Sequence, residues 1–380
     1  MKLKGIVLGI AVSALALAPT ASADVSGNYI VVDDAAPGTL YSFTPAGTRT
    51  TIATGGSLTG AEGVARLAAD DYLVAAKGPL NNATPDGAVV RVRNGVQSVL
   101  ATGGNLINPH AIALSNDRKT AFTAGRDGRI VAITIATGAQ RLVAGPGGNL
   151  ADLRGIAVEQ NGQLVVADTG ATTHLVRVDP NSGLQTPLIT GAPLADARSV
   201  MVRPNGDLIV GDQGPGAGNG AIFSVDLPAI TTTSIAGGSF FAQQSVPGGI
   251  ALDTRGDLIV SDRNDTTPGG GNGRLYRVSL AGAITEIIPA SSGLLLEASG
   301  LAIVPPKCGG KFATIVGTPG KDNLAGTNGP DVIVALGGKD TLKGKGGKDV
   351  LCGGKGNDKL LGGGGKDRVI GGKGTDVEKP

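Results

Sequence analysis

The sequence predicts an all-β protein in two parts: a six-bladed β-propeller closed by pairing of its N- and C-terminal strands, then a parallel β-roll of nonapeptide repeats. Three observations predict it. Glycine supplies 64 of 380 residues, Trp is absent, and only six Phe and four Tyr occur, a composition of tight turns between short Val/Ile/Leu strands. One set of four short strands recurs six times within residues 24–306. Seven aspartates, from Asp322 to Asp376, then follow at unbroken nine-residue intervals.

The chain opens on a targeting segment. Lys2 and Lys4 precede an apolar run from Gly5 to Ala18, and Ala21-Ser22-Ala23 offers small residues for cleavage, so residues 1–23 read as a signal peptide outside the fold. The run is shorter than the roughly 20 apolar residues that span a bilayer, and no second one follows, so no membrane span is expected. Neither a Cys at the cleavage point nor a twin-Arg pair is present, which points to general secretion without a lipid anchor. Charge then divides the rest. Residues 24–306 hold 18 basic and 23 acidic side chains, residues 307–380 hold 13 and 8, and the shift puts a boundary just after Pro305-Pro306.

Each repeat of residues 24–306 reads as four strands. An innermost strand recurs as EGVA from Glu62, HAIA from His110, RGIA from Arg154, RSVM from Arg198, GGIA from Gly248 and SGLA from Ser299. A second recurs as YIVVD from Tyr29, YLVAA from Tyr72, AFTAG from Ala121, LVVAD from Leu164, LIVGD from Leu208 and LIVSD from Leu258. A third (GTLYSF, GAVVRV, GRIVAI, HLVRV, GAIFSV, GRLYRV) and a fourth (TTIAT, SVLAT, RLVAG, PLIT, SIAG, EIIP) complete each unit. Four short strands in about 45 residues make a propeller blade. Branched apolar runs bounded by Gly, Asn and Asp, without a 3.6 period, argue against a helical solenoid. Because the chain starts on a second-type strand and ends on a first-type strand, Ser299 to Val304, the two fragments complete one blade and leave no open edge. Asp33, Asp168, Asp212 and Asp262 end second-type strands, with Ala76 and Gly125 in their place in blades two and three; they read as structural acceptors of backbone N–H groups.

Strings such as QNGQLVVADTG, PNGDLIVGDQG and TRGDLIVSDRN resemble NHL-type units. The part as a whole resembles six-bladed propellers of the NHL, virginiamycin B lyase-like and regucalcin/gluconolactonase groups, which implies a scaffold more than a chemistry. Innermost strands line a propeller's channel, so the alignment brings Glu62, His110, Arg154 and Arg198, with Gly248 and Ser299, to one mouth. These four polar side chains are the candidate ligand site. The arginines suit a carboxylate or phosphate taken bidentately, and Glu62 with His110 offers acid and base groups. The alternative is mutual pairing, Glu62 with an Arg, in a wet structural channel. The lactonase resemblance implies a divalent ion held by acidic and amide side chains, with Glu62 where the first glutamate would stand, but the two fixed arginine charges disfavour a cation there. The lyase resemblance implies a His, a Glu and a metal; only His110 and His174 exist, and His174 begins a third-type strand away from the channel. No nucleophile elbow, phosphate-binding Gly loop or zinc pair stands in a supporting context.

In the tail, Gly stands two residues before each of Asp322, Asp331, Asp340, Asp349, Asp358, Asp367 and Asp376, and an apolar residue stands two after the first six. Glycine permits turns that point carbonyl oxygens inward, Asp adds a carboxylate, and Ca2+ takes roughly six to eight such hard ligands. The pattern resembles the hemolysin-type (RTX) nonapeptide over residues 317–377, with GGKGNDKLL from Gly353 the nearest copy. The resemblance implies calcium between successive turns, held by these aspartates and by glycines such as Gly353, Gly362 and Gly371. Asp322, Asp340, Asp358 and Asp376 then lie on one face, and Asp331, Asp349 and Asp367 on the other. So small a core implies order coupled to the metal. Two departures stand out: Lys321, Lys339, Lys348 and Lys366 precede their Asp, where an ammonium would weaken calcium or replace it, and Ala335-Leu336 replaces the leading glycines of the third repeat. Cys308 and Cys352, an even count in an exported chain, are expected to pair.

The sequence thus predicts a secreted calcium-binding protein whose propeller is a ligand- or partner-binding scaffold rather than an enzyme. The rival is an extracellular hydrolase or lyase, lactonase-like, built on the ring at the channel mouth. The basic tail suits an anionic cell-surface polymer or a protein partner. Its lysines lack interleaved aromatics, which argues against nucleic acid.

Overall fold

The computed structural model describes residues 27–78, 87–170, 172–214, 220–227, 229–237, 247–263 and 273–380; the expected signal peptide and most of the Gly-rich string that starts at Gly214 lie outside them. Six four-stranded antiparallel sheets form the propeller. Their innermost strands are Ala61–Ala68, Pro109–Leu114, Leu153–Val158, Ala197–Val202, Pro247–Leu252 and Ala298–Ile303. The last of these pairs with Tyr29–Asp33 (Tyr29 opposite Ile303, Ile30 opposite Ala302), so the first and last strands share one blade and the ring is closed.

Apart from Thr120, each second strand is buried along its whole length, as in Leu164–Asp168, Leu208–Asp212 and Leu258–Asp262, because both its faces meet a neighbouring blade. That explains the continuous branched runs, which would be wasted on a half-exposed strand. Outermost strands such as Arg49–Thr54 and Thr231–Gly237 are largely exposed and rich in Thr. Cores form between blades: Val166, Val176 and Val178 of one blade pack with Phe122, Ile130 and Ala132 of the blade before it. Each such fully buried Val or Ile contributes on the order of 1.5–3 kcal/mol.

The tail coils into two parallel four-stranded sheets in which each residue sits beside the one eighteen further on, as Leu324 beside Leu342 and Leu342 beside Leu360. Leu324, Ile333, Leu342, Leu351 and Leu360 fill the interior. A short hairpin, Lys307–Cys308 with Lys311–Phe312, covers the outer face of one sheet, packing Cys308 and Ala313 on Val332, Val334 and Val350. The Cys308 and Cys352 sulfurs are bonded, with their Cα atoms 6.0 Å apart. The Arg66 guanidinium lies 4.3 Å from the Phe312 ring, a cation–π contact joining hairpin to propeller, and the Lys307 ammonium lies over the same ring at 4.7 Å. Thr314–Gly317 face Val158, Val202 and Leu252, so the roll abuts the end of the channel opposite Glu62 and its ring.

Candidate functional sites

Each ring residue sits at a β-bulge. The ladders pass from Ala61 to Gly63, Pro109 to Ala111, Leu153 to Gly155, Ala197 to Ser199 and Pro247 to Gly249, skipping Glu62, His110, Arg154, Arg198 and Gly248; Ser299 and Gly300 together oppose Val32. A skipped residue leaves the pleat and turns its side chain. All six line one cavity of about 300 Å3, joined by Arg126 and Arg263. Beneath it the strands crowd the axis, and a Cβ on Gly155 would meet Ser199 Cα at 3.0 Å, on Gly300 the Glu62 carbonyl at 2.6 Å. Only small residues fit that layer. Val64, Ile112, Ile156, Val200, Ile250 and Leu301 line the narrower lumen of about 100 Å3 below.

The strand-end aspartates hold this mouth in place. Asp168 accepts the N–H groups of Ala151 (2.7 Å), Asp152 (3.1 Å) and Gly170 (2.8 Å), and Asp212 accepts those of Ala195, Asp196 and Gly214. Asp33 does the same for Leu296, Glu297 and Ala35. The loops so fixed carry acids that grip the arginines: Asp152 takes Arg154 through Nε and Nη2 (2.7 and 2.8 Å), and Asp196 takes Arg198 likewise (2.9 and 2.7 Å). Bidentate capture of a ligand by those same edges is therefore pre-empted, and an incoming anion meets the outer edge of each guanidinium.

Glu62 is gripped from its own blade and from another. Its carboxylate accepts from Lys77 Nζ (2.7 Å) and Arg263 Nη1 (3.2 and 3.3 Å), and the same two cations pair with Asp34 (2.7 and 2.6 Å). Glu297 adds a third acid to Arg263 at 3.3 Å. Burial works against the Glu62 charge, but His110, Arg263 and Lys77 outweigh it and hold the carboxyl well below the usual range. Asp34 is pushed up to about 6, by burial and then by the Glu62 charge. His110 Nδ1 donates to the Arg154 carbonyl at 3.1 Å, and Nε2 lies 3.6 Å from Glu62. Burial, reinforced by Arg154 and Arg263 and opposed by Glu62, drops its pKa to about 4, so the ring is neutral at pH 7. Lys77, Asp34, Arg126 and Arg263, absent from the sequence-based ring, each directly follow a second strand (Ala76, Asp33, Gly125, Asp262), so the repeat alignment that found one ring contains the other.

In the roll the aspartates form two ladders. Asp340 Oδ1 accepts the Asp322 N–H at 2.7 Å, Asp358 that of Asp340 at 2.9 Å and Asp376 that of Asp358 at 2.9 Å; Asp349 and Asp367 do the same for Asp331 and Asp349 at 2.9 and 3.0 Å. The other oxygens, Oδ2 of Asp340, Asp349, Asp358 and Asp367, are buried without a partner. A buried carboxylate oxygen left alone is costly, and a cation is the natural counterpart. Burial, then like charges one coil away, raises Asp340 to about 6 and Asp349 upward. Lys321, Lys339, Lys348 and Lys366 are exposed, and none makes an ion pair with a roll aspartate, so these lysines are not the counter-charge. Gly353 and Gly362 leave room beside this oxygen: a Cβ on either would lie 2.5 Å from the Oδ2 of Asp358 or Asp367, and one on Gly371 would press against Asp376. Among the described residues no three His, Cys, Asp or Glu side chains are grouped so as to hold a metal ion by themselves, so backbone carbonyls such as that of Gly371 would complete any cation's shell in the roll.

These features define a six-bladed β-propeller carrying a nonapeptide β-roll. Residues 316–351 and 344–378 match the RTX calcium-binding nonapeptide repeat, a family of four copies per unit, so the roll is built of calcium-binding repeats. No curated protein matches the sequence. Among solved structures, the nidogen/laminin complex is similar at 13% identity and a TM-score of 0.55, over 72% of this chain and 97% of that one. A Bacteroides thetaiotaomicron protein of unknown function and the Kuenenia stuttgartiensis hydrazine synthase also match at 13% identity, with TM-scores of 0.45 and 0.46, over 60% of this chain and 57% and 65% of theirs. At such identity the likeness speaks to architecture alone. No helix among the described residues is long and apolar enough to cross a membrane.

Proposed function

We propose that the protein is exported and works outside the cell as a calcium-binding protein whose propeller mouth binds, without catalysis, an anionic group of a small ligand or partner. The observation that carries it is the row of buried, unpartnered Oδ2 atoms in the roll, the donor set a hard divalent cation takes. Bound calcium supplies positive charge between coils; Asp349, Asp358 and Asp367 would hold it, and the glycines beside them keep the space open. For the mouth, four guanidiniums line the cavity against one carboxylate, and Arg126, Arg154 and Arg198 cluster on the side away from Lys77 and Asp34. The basic roll, with 13 basic to 8 acidic residues, supports contact with an anionic polymer at the cell surface.

The test for the mouth is binding of a di- or tricarboxylate series to wild type and to Arg154→Ala with Arg198→Ala. Loss of binding in the variants supports the reading, and a wild type that binds none of the series removes it. The hydrolase or lyase reading has one observation in its favour, a neutral His110 beside an ionised Glu62. Against it, both Glu62 oxygens are engaged by Lys77 or Arg263. Turnover of any lactone or ester that vanishes in Glu62→Gln and His110→Ala would reverse the preference.

A further inference from the structure

The seven nonapeptides differ at their second residue, and that residue decides what the carboxylate meets. Thr318 and Thr327 hold the position in the first two repeats. Thr318 donates its N–H (2.5 Å) and hydroxyl (3.0 Å) to Asp322 Oδ2, and Thr327 donates likewise to Asp331 Oδ2 (2.6 and 3.0 Å). In the next five repeats the second residue is Leu336, Lys345, Gly354, Gly363 or Gly372, with φ of 76, 75, 106, 103 and 109°. The left-handed backbone turns the N–H away, and the Oδ2 atoms of Asp340, Asp349, Asp358 and Asp367 have no donor. An oxygen already receiving an N–H and an O–H presents hydrogens where a cation would stand, and a metal would have to displace both.

The first residue of the repeat makes a second distinction. A Cβ on Gly353 would lie 2.5 Å from Asp358 Oδ2 and 2.6 Å from the Gly371 carbonyl, one on Gly362 2.5 Å from Asp367 Oδ2, and one on Gly344 would press on Asp349 Oδ2 and the Gly362 carbonyl. The absent side chain leaves a cradle between a carboxylate and the next coil. In the third repeat this position is Ala335, buried against the roll's apolar interior, so the gap a glycine would leave beside Asp340 is missing there.

We infer that the roll is divided into a metal-free half and a cation half. Thr318 and Thr327 close the first two turns, Ala335 closes the third, the seventh has Gly371 beside Asp376 but no further coil above it, and calcium is confined to three cradles, those of Asp349, Asp358 and Asp367. The half nearest the propeller, held by the threonines, keeps its shape without metal, while the distal half, whose first strand Cys308–Cys352 ties back to the hairpin, responds to it. This rests on the calcium reading of the roll and refines where the ions go.

The test counts calcium per full-length protein by equilibrium dialysis and elemental analysis, with circular dichroism to confirm an intact propeller. Wild type is expected to bind three ions, Ala335→Gly four, Asp331→Asn still three and Asp349→Asn two. Any other nonzero count for wild type, no gain in Ala335→Gly, or a loss in Asp331→Asn overturns the division while leaving calcium binding in place. A wild type that binds no calcium overturns the reading beneath it.

Discussion

Replacing Asp168 by Ala removes one carboxylate that sews three backbone N–H groups together, those of Ala151, Asp152 and Gly170 at 2.7, 3.1 and 2.8 Å. The residue is 0% exposed, so water reaches the abandoned donors only if the loop opens. A hydrogen bond to a charged group contributes roughly 1.5–3 kcal/mol, and a buried donor left unsatisfied costs about 1–3 kcal/mol. With partial relaxation of the loop the expected loss is about 3–5 kcal/mol, and Asp168→Asn, which keeps one acceptor, loses about half of that. Asp152 sits on the loop that Asp168 fixes and grips Arg154, so the variant also loosens the mouth. The chain has no Trp, so urea unfolding is followed by circular dichroism, at saturating calcium to hold the roll constant. A midpoint shift at unchanged m-value equivalent to less than about 1 kcal/mol would refute the structural role given to these aspartates.

Further outcomes follow from the same geometry. Gly300→Ala places a Cβ 2.6 Å from the Glu62 carbonyl and 2.8 Å from Gly63 Cα, backbone atoms of the neighbouring strand, and should destabilise by about 1–3 kcal/mol in the same urea assay. His110, held near 4 by burial, binds fewer protons folded than unfolded, so its contribution is complete above its usual 6.5 and is lost as pH falls toward 4, about 3 kcal/mol in all. Asp34, raised to about 6, acts with the opposite sign, its contribution full below 3.8 and lost as pH rises through 6. Stability profiles between pH 4 and 7 should therefore flatten on the acid side in His110→Gln, and an unchanged profile would contradict a buried neutral imidazole. Reducing the Cys308–Cys352 bond releases a 44-residue loop constraint worth about 4 kcal/mol, and should raise the calcium concentration at which the roll orders.

The six sheets and their closure were legible because every blade repeats the same four strands, so a fragment missing at one end of the chain could be matched to a surplus at the other. The ring at the mouth was legible for the same reason: Glu62, His110, Arg154 and Arg198 share a register, and the bulge that turns them inward recurs with it. What the mouth does with them was not. Glu62 meets Arg263 across 201 residues and Asp34 meets Arg263 across 229, contacts that exist only because the ring closes. Thr318 and Thr327 were in plain view, yet their effect runs through φ and the direction of an N–H, which no residue count reports. Lys321 and its equivalents were weighed as rivals to calcium from adjacency alone; outside the turn, their side chains run into solvent.

Amide hydrogen exchange on the full-length protein, in millimolar Ca2+ and in chelator, tests the claim that a cation completes the roll. Strong calcium-dependent protection is predicted for Val350–Lys355, Lys359–Gly364 and Arg368–Lys373, with the propeller strands unchanged. Equal protection of those three strands in chelator would contradict it.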